Sequence, residues 1–203
     1  CYEVRAGTNH PAATGAGHSL RGSRSNKSMN LPQLRMHRRD LDDLPEIPPL
    51  AEGYVLREAT PEDADGLAGV LTKSFQDEWS TDRVREVLLD HPEVPTTFLI
   101  AHEGKPVATA SYQLMPNDFP ESGWVHYVGA DPDYAGKGLG FAVVLAVLHE
   151  AARAGKTDAF LTTDDPRFAA IRTYLKLGFE PDMWHESYPE RWRAVYQALG
   201  VPA

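Results

Sequence analysis

The 203-residue chain has one cysteine, Cys1. A single thiol builds neither an internal disulfide framework nor a cysteine-rich zinc site. His102, His149 and His185 show no metal-ligand spacing, so no metal is expected. Long apolar runs are also missing. The longest, Leu139 to Leu148 with Gly140 inside it, is about ten residues, against the roughly 20 that a membrane-spanning helix needs. The first thirty residues hold no apolar stretch, which predicts the absence of a secretory signal and a cytoplasmic protein with no membrane partner. Positive charge is scarce outside one end: the first 40 residues carry seven Lys+Arg and two Asp+Glu, the remainder thirteen and twenty-seven. A body this acidic is a poor partner for nucleic acid. No internal repeat is found.

What is present is enough apolar content, 42% of residues, for one sizeable core. Residues 1–28 are small, polar and basic without periodicity, and read as a disordered leader or a tag. "PEIPPLAEG" (45–53) reads as a linker. The expected division is a leader plus linker over 1–50 and a folded domain over 51–203. Within the domain, "YVLRE" (54–58) reads as a strand. Thr60, with Pro61 and Asp63, opens a helix over 61–74. Ser80 opens a second helix, ended by His91-Pro92. "TTFLIAHEGKPVATASYQLM" reads as a hairpin turning at Glu103-Gly104, and 123–130 as a further strand. A helix over 138–154, a strand over 158–163 and a helix over 166–177 follow. A strand-like stretch near Met183–His185 and a helix over 188–199 complete the chain. The order β-α-α-β-β-β-α-β-α-β suggests an α/β fold with a mixed sheet covered by helices. "HESYPERWRAVYQAL" closes the domain edge or forms an oligomer contact, which makes a homodimer one expectation.

"DPDYAGKGLGFAVV" (131–144) places Gly136, Gly138 and Gly140 between a strand and a helix. Glycine lowers helix stability, so a cluster at a helix entrance implies a task for the backbone amides. The usual task is holding an anion, most often phosphate. A P-loop would need G-x-x-x-x-G-K-[ST], which does not occur. A dinucleotide site would need G-x-G-x-x-G, and here the pattern is G-x-G-x-G. The bland alternative is a plain glycine-rich turn.

Asp131 to Gly140 resembles the acyl-CoA loop of the GNAT superfamily of N-acetyltransferases, V-x-P-x-Y-R-G-x-G-[IL]-G. The second signature of that superfamily, Tyr-x-x-x-Gly-Phe, stands here as Tyr174, Gly178 and Phe179. The resemblance spans about residues 54–182. It implies a mostly antiparallel central sheet flanked by helices, with acetyl-CoA as cosubstrate. The amides of Gly136, Lys137, Gly138, Leu139 and Gly140 would hold the pyrophosphate, and the strand Val128-Gly129-Ala130 would pair with the pantetheine arm. Two positions depart from the pattern. Ala135 replaces the usual Arg or Gln, and Arg167 replaces the usual Asn, where it offers a charge that a phosphate would accept.

Acetyl transfer to an amine needs a base for the ammonium proton and an acid for the departing thiolate. His126 lies nine residues before Ala135, a spacing at which arylalkylamine acetyltransferases of this superfamily carry a catalytic histidine. The other reading is a histidine packed under the cofactor. Tyr174 matches the phenol that protonates the thiolate; its other reading is a tyrosine on the buried face marked by Phe168, Ile171 and Leu175. A backbone amide near Val128 to Ala130 would polarise the carbonyl. Glu78, Trp79 and Trp124 are candidate walls of an acceptor pocket. Asp164 and Asp165 are helix N-terminal charges or substrate contacts. The expected function is acetyl transfer from acetyl-CoA to a small-molecule amine by direct attack in a ternary complex. The alternatives are acetylation of protein N-termini or lysines, and a non-catalytic acyl-CoA sensor.

Overall fold

Seven strands form one sheet in the order β2-β3-β4-β5-β6-β1-β7 in a computed structural model that describes residues 31–202. The strands are β1 (Leu34–Arg38), β2 (Tyr54–Glu58), β3 (Thr96–His102), β4 (Lys105–Met115), β5 (Phe119–Ala130), β6 (Asp158–Thr163) and β7 (Glu180–Pro181). Every neighbouring pair is antiparallel except β5 and β6, which run parallel. The helices are α1 (Ala64–Phe75), α2 (Thr81–Val84), α3 (Leu139–Arg153), α4 (Phe168–Lys176) and α5 (Tyr188–Leu199). The α2 chain continues through a π-helical turn over Arg85–Leu89 before His91-Pro92.

Alternation along β3 shows how the layers are built. Ile100 faces one apolar cluster, with Val143, Val144, Leu145, Val147 and Leu148 of α3. Its neighbours Leu99 and Ala101 face a second cluster, with Leu67 and Leu71 of α1 and Leu88. Successive side chains of a strand point to opposite faces, so α3 and α1 cover opposite sides of the sheet. The α1 entrance is fixed by Asp63, whose carboxylate takes the Thr60 N–H at 2.8 Å and both Arg57 guanidinium nitrogens at 2.7 Å. The Arg57 side chain holds the Asp63 carboxyl down at about 2.

β1 corrects the expected domain boundary. Residues 34–38 lie inside the sheet, with Leu34 opposite Thr163 of β6 and His37 opposite Glu180 of β7. Leu34 and Met36 are fully buried. The sheet therefore includes residues ahead of 51, within what reads as leader and linker. The leader expected over residues 1–28 lies outside the described residues. The strand expected near Met183–His185 is also displaced: β7 is the two residues Glu180–Pro181, and Met183 and Trp184 are half exposed.

A fragment beginning at residue 51 should accordingly fail to fold. It loses two fully buried apolar side chains, each worth about 1.5–3 kcal/mol, and leaves the β6 edge unpaired. A chain beginning at Met29 keeps both. Thermal melts followed by circular dichroism compare the two, and a 51–203 fragment melting within a few degrees of the 29–203 chain would show that β1 is dispensable.

One irregularity positions the site. Thr109 of β4 pairs with Gly129 of β5, but Ser111 pairs with His126, so β5 carries one extra residue there. Tyr127 absorbs it with a φ of 46°. Such a bulge bends its strand and increases the local twist. The parallel register with β6 runs from Ser122↔Asp158 to Val125↔Leu161 and stops there, although β5 continues to Ala130 and β6 to Thr163. The two strands splay at their C-terminal ends.

Candidate active site

The glycine loop leaves β5 through a braced corner. The Asp131 carboxylate takes the Asp133 N–H at 3.0 Å and the Lys73 ammonium at 2.6 Å, and Lys73 also reaches Asp133 at 3.1 Å. Burial would raise the Asp131 carboxyl, but the Lys73 ammonium and the backbone overcome it and hold it below the usual range. Lys73 sits in the last turn of α1, so the clamp ties that helix to the loop.

Gly136 and Gly138 adopt φ values of 78° and 75°, a region that side chains disfavour. Gly138 caps α3 without any side-chain hydrogen bond to the helix. A Cβ placed on Gly136, Gly138 or Gly140 would meet nothing within 4 Å, so each would project into open space. The start of α3, at the positive end of its dipole, therefore has an open approach, which fits a phosphate group.

That approach opens into a groove of about 1330 Å³. The glycine loop, Val128 to Ala130 of β5, Tyr174 of α4 and Pro48 to Leu50 all line it. The residues expected to hold the cofactor and the expected acid thus share one groove. Tyr174 is almost fully buried, and burial pushes its phenol up to about 12, with the Arg167 charge acting against that rise. The Tyr-x-x-x-Gly-Phe spacing has a local cause. The Phe179 N–H returns to the Tyr174 carbonyl at 3.0 Å, a closure that requires Gly178 at a φ of 80°.

Arg167 lines the same groove and is held by partners within the fold. Its Nη2 donates to the Val128 carbonyl at 3.0 Å, and its Cζ lies 4.6 Å from the Phe75 ring centroid. The Ala130 N–H donates to Ser74 Oγ at 3.3 Å. Two of the polar groups at the end of β5 thus have partners from within the chain.

The structure does not bring His126 into this groove. The side chain is half-buried on β5, opposite Ser111, with its ring 3.9 Å from that of Tyr127. Burial pushes the imidazole down to about 4. The expected acceptor walls are likewise separated. Trp124 packs among Phe119 and Phe160, with centroids 5.4 and 5.9 Å away. Trp79 borders a second hollow of about 590 Å³ between α1 and α2, beneath the Arg83 guanidinium at 4.0 Å. Asp164 accepts from Gln33 and Asp165 from Arg191, so both make contacts within the fold. Lys73 and the Pro48–Leu50 wall were not foreseen. The only sequence signal for Lys73 is a base in the last turn of α1, and 48–50 reads as an ordinary linker.

With this geometry in hand, comparison with known proteins defines the class. The sequence model of the acetyltransferase (GNAT) family matches residues 64–179, more than half of the chain. The chain belongs to that family. Among curated relatives it is 33% identical over 171 residues to the mycothiol acetyltransferase of Actinosynnema mirum, covering 81% of this chain and 54% of that protein. It is 31% identical to the mycothiol acetyltransferase of Mycobacteroides abscessus, covering 78% and 56%. The chain spans about half the length of the curated relatives it matches. Among solved structures, the GCN5-related N-acetyltransferase from Sphaerobacter thermophilus superposes with a TM-score of 0.59 at 22% identity, over 75% of this chain and 50% of that one. That likeness is one of fold.

Proposed function

We propose that this protein transfers the acetyl group of acetyl-CoA to the amine of a small molecule. The observation that carries the proposal is the single groove shared by an open amide cradle at the start of α3 and the buried phenol of Tyr174. The relatives favour a small acceptor, since they are named for mycothiol and not for a protein.

Bound acetyl-CoA supplies an acetyl thioester, whose carbon gains a bond to the amine nitrogen as the C–S bond breaks and its electron pair leaves on sulfur. The loop amides from Gly136 to Gly140 hold the pyrophosphate. Backbone from Val128 to Ala130 lies along the acyl arm. Tyr174 gives its proton to the sulfur and recovers one from solvent. His126, on the part of β5 outside the groove, takes a proton from the acceptor's ammonium through water, and the neutral amine so formed is the nucleophile.

Release of free thiol from acetyl-CoA over a panel of amines and peptides tests the reading. Turnover with small amines is the expected result. Turnover with peptides alone would replace it by protein acetylation, and tight acetyl-CoA binding without any turnover by a sensor.

The His126 role has its own signature. An imidazole held at about 4 is neutral at physiological pH, so its influence on rate lies well below the usual 6.5. His126→Gln should lower the rate by about 10²-fold. The ratio of wild-type to variant rate should be flat above pH 6 and fall toward one as the imidazole protonates near pH 4. Taking the ratio cancels the ionisation of the acceptor. A ratio close to one at all pH values would remove His126 from the reaction.

A further inference from the structure

We propose that Arg167 is a second catalytic group of the transfer step, placing a fixed positive charge against the sulfur as the C–S bond breaks. This inference rests on reading the groove as the acyl-CoA site.

Three observations converge on the guanidinium. The Val128 carbonyl lies past the last register pair of β5 with β6, and Arg167 Nη2 takes it at 3.0 Å. The guanidinium carbon lies 4.6 Å from the Phe75 ring centroid, and that ring meets Tyr127 at the bulge edge-on. The side chain is therefore held from two directions. Arg167 is also the N-cap residue of α4, seven residues before Tyr174, and both line the groove. Helical side chains lean toward the N-terminus, which directs the Tyr174 ring toward the Arg167 end. The Arg167 charge acts on the Tyr174 phenol, opposing the effect of burial. The guanidinium, the end of β5 where the acyl arm is placed, and the phenol that protonates the sulfur thus share one groove.

A cation anchored in that position suits a developing thiolate. The electron pair of the broken C–S bond moves onto sulfur, the Tyr174 proton follows it, and the transient negative charge shared by sulfur and phenolate lies beside the guanidinium. Arg167 neither gives nor takes a proton, because arginine stays charged in proteins. Its anchors are already in place, so little reorganisation opposes the stabilisation. A lysine would carry the charge but could not hold Val128 and cover the Phe75 face with one planar group.

The test uses Arg167→Met and Arg167→Lys in the full chain. Thiol release is measured with the best amine of the panel and with water alone as acceptor, and acetyl-CoA affinity by calorimetry. Arg167→Met should lower kcat by about 10²-fold, the scale of losing one charge-stabilising group, while acetyl-CoA affinity stays within about threefold. Arg167→Lys should recover part of the rate, and it keeps the test open if the Met variant does not fold. Combined with Tyr174→Phe, the Met variant should lose less than the product of the two single losses, because both groups serve one charge. Weakened acetyl-CoA binding with unchanged kcat would reassign Arg167 to cofactor binding and overturn the inference. Tighter binding with unchanged kcat would make it a plug on β5, with the same consequence. A slow Arg167→Met beside a full-rate Tyr174→Phe would remove the phenol from the reaction and leave Arg167 in it. Wild-type protein that releases no thiol in either assay would overturn both readings together.

Discussion

A Gly138→Asp protein should fold and fail to bind acetyl-CoA. Gly138 has a φ of 75° and caps α3. Aspartate tolerates that region better than most residues, at a cost of about 1 kcal/mol, and its Cβ would enter space with no heavy atom within 4 Å. Stability should therefore fall only slightly. Binding should not survive. The new carboxylate would sit at the positive end of the helix, where the pyrophosphate is placed, replacing a bare amide approach with bulk and like charge. Gly138→Asn carries the same strain and nearly the same volume without the charge. The expected order of affinity by calorimetry is wild type, then Asn, then Asp, with the Asp variant at least about 100-fold weaker, a difference of about 2.7 kcal/mol. Equal affinities for Asn and Asp would mean that no anion approaches Gly138. Unchanged affinity for both would end the cradle argument.

The reach of sequence reading follows from which signals were local. The glycine loop was legible because its chemistry is written in neighbouring residues, and so was the hairpin at Glu103-Gly104. β1 was not. "LRMHR" alternates two apolar residues with three basic ones inside a basic stretch, and by composition it belongs to a leader. Its polar side chains are matched far along the chain: Arg35 pairs with Asp182 at 2.6 Å and His37 shares a hydrogen bond with Asp158 at 2.7 Å. Part of the positive charge of the first 40 residues thus answers an acidic residue just past β7. The bulge at Tyr127 was equally silent, since no glycine or asparagine marks a positive φ there. The Val128 carbonyl that Arg167 takes lies one residue past the bulge and beyond the last pair of β5 with β6. The departure from the family pattern at 167 was visible in the sequence, but its partner was fixed by tertiary geometry alone. His126 illustrates the same limit for electrostatics: spacing suggested a base with an ordinary pKa, and burial sets it near 4.

Tyr174→Phe should slow transfer by about 10²- to 10⁴-fold, the usual worth of a general acid, with acetyl-CoA affinity nearly unchanged. The substitution removes one oxygen from a side chain packed on α4 near Phe179, whose ring centroid lies 6.1 Å away, so the fold should persist. A phenol pushed up to about 12 by burial stays protonated throughout the working range. It is therefore always able to donate. It is also a weak acid in the ground state, and it becomes effective only when negative charge builds on sulfur, which is why the loss belongs in kcat. The pH dependence separates it from His126. The ratio of wild-type to Tyr174→Phe rates should be level from pH 5 to pH 10, because the phenol does not titrate there, whereas the His126→Gln ratio should fall toward one near pH 4. A Tyr174→Phe deficit that appears in acetyl-CoA affinity instead would make the phenol a binding group. A deficit that shrinks in proportion to rising pH below 10 would show a phenol far more acidic than its burial implies. Full activity would remove Tyr174 from the chemistry and leave the groove as a cofactor site whose acid lies elsewhere.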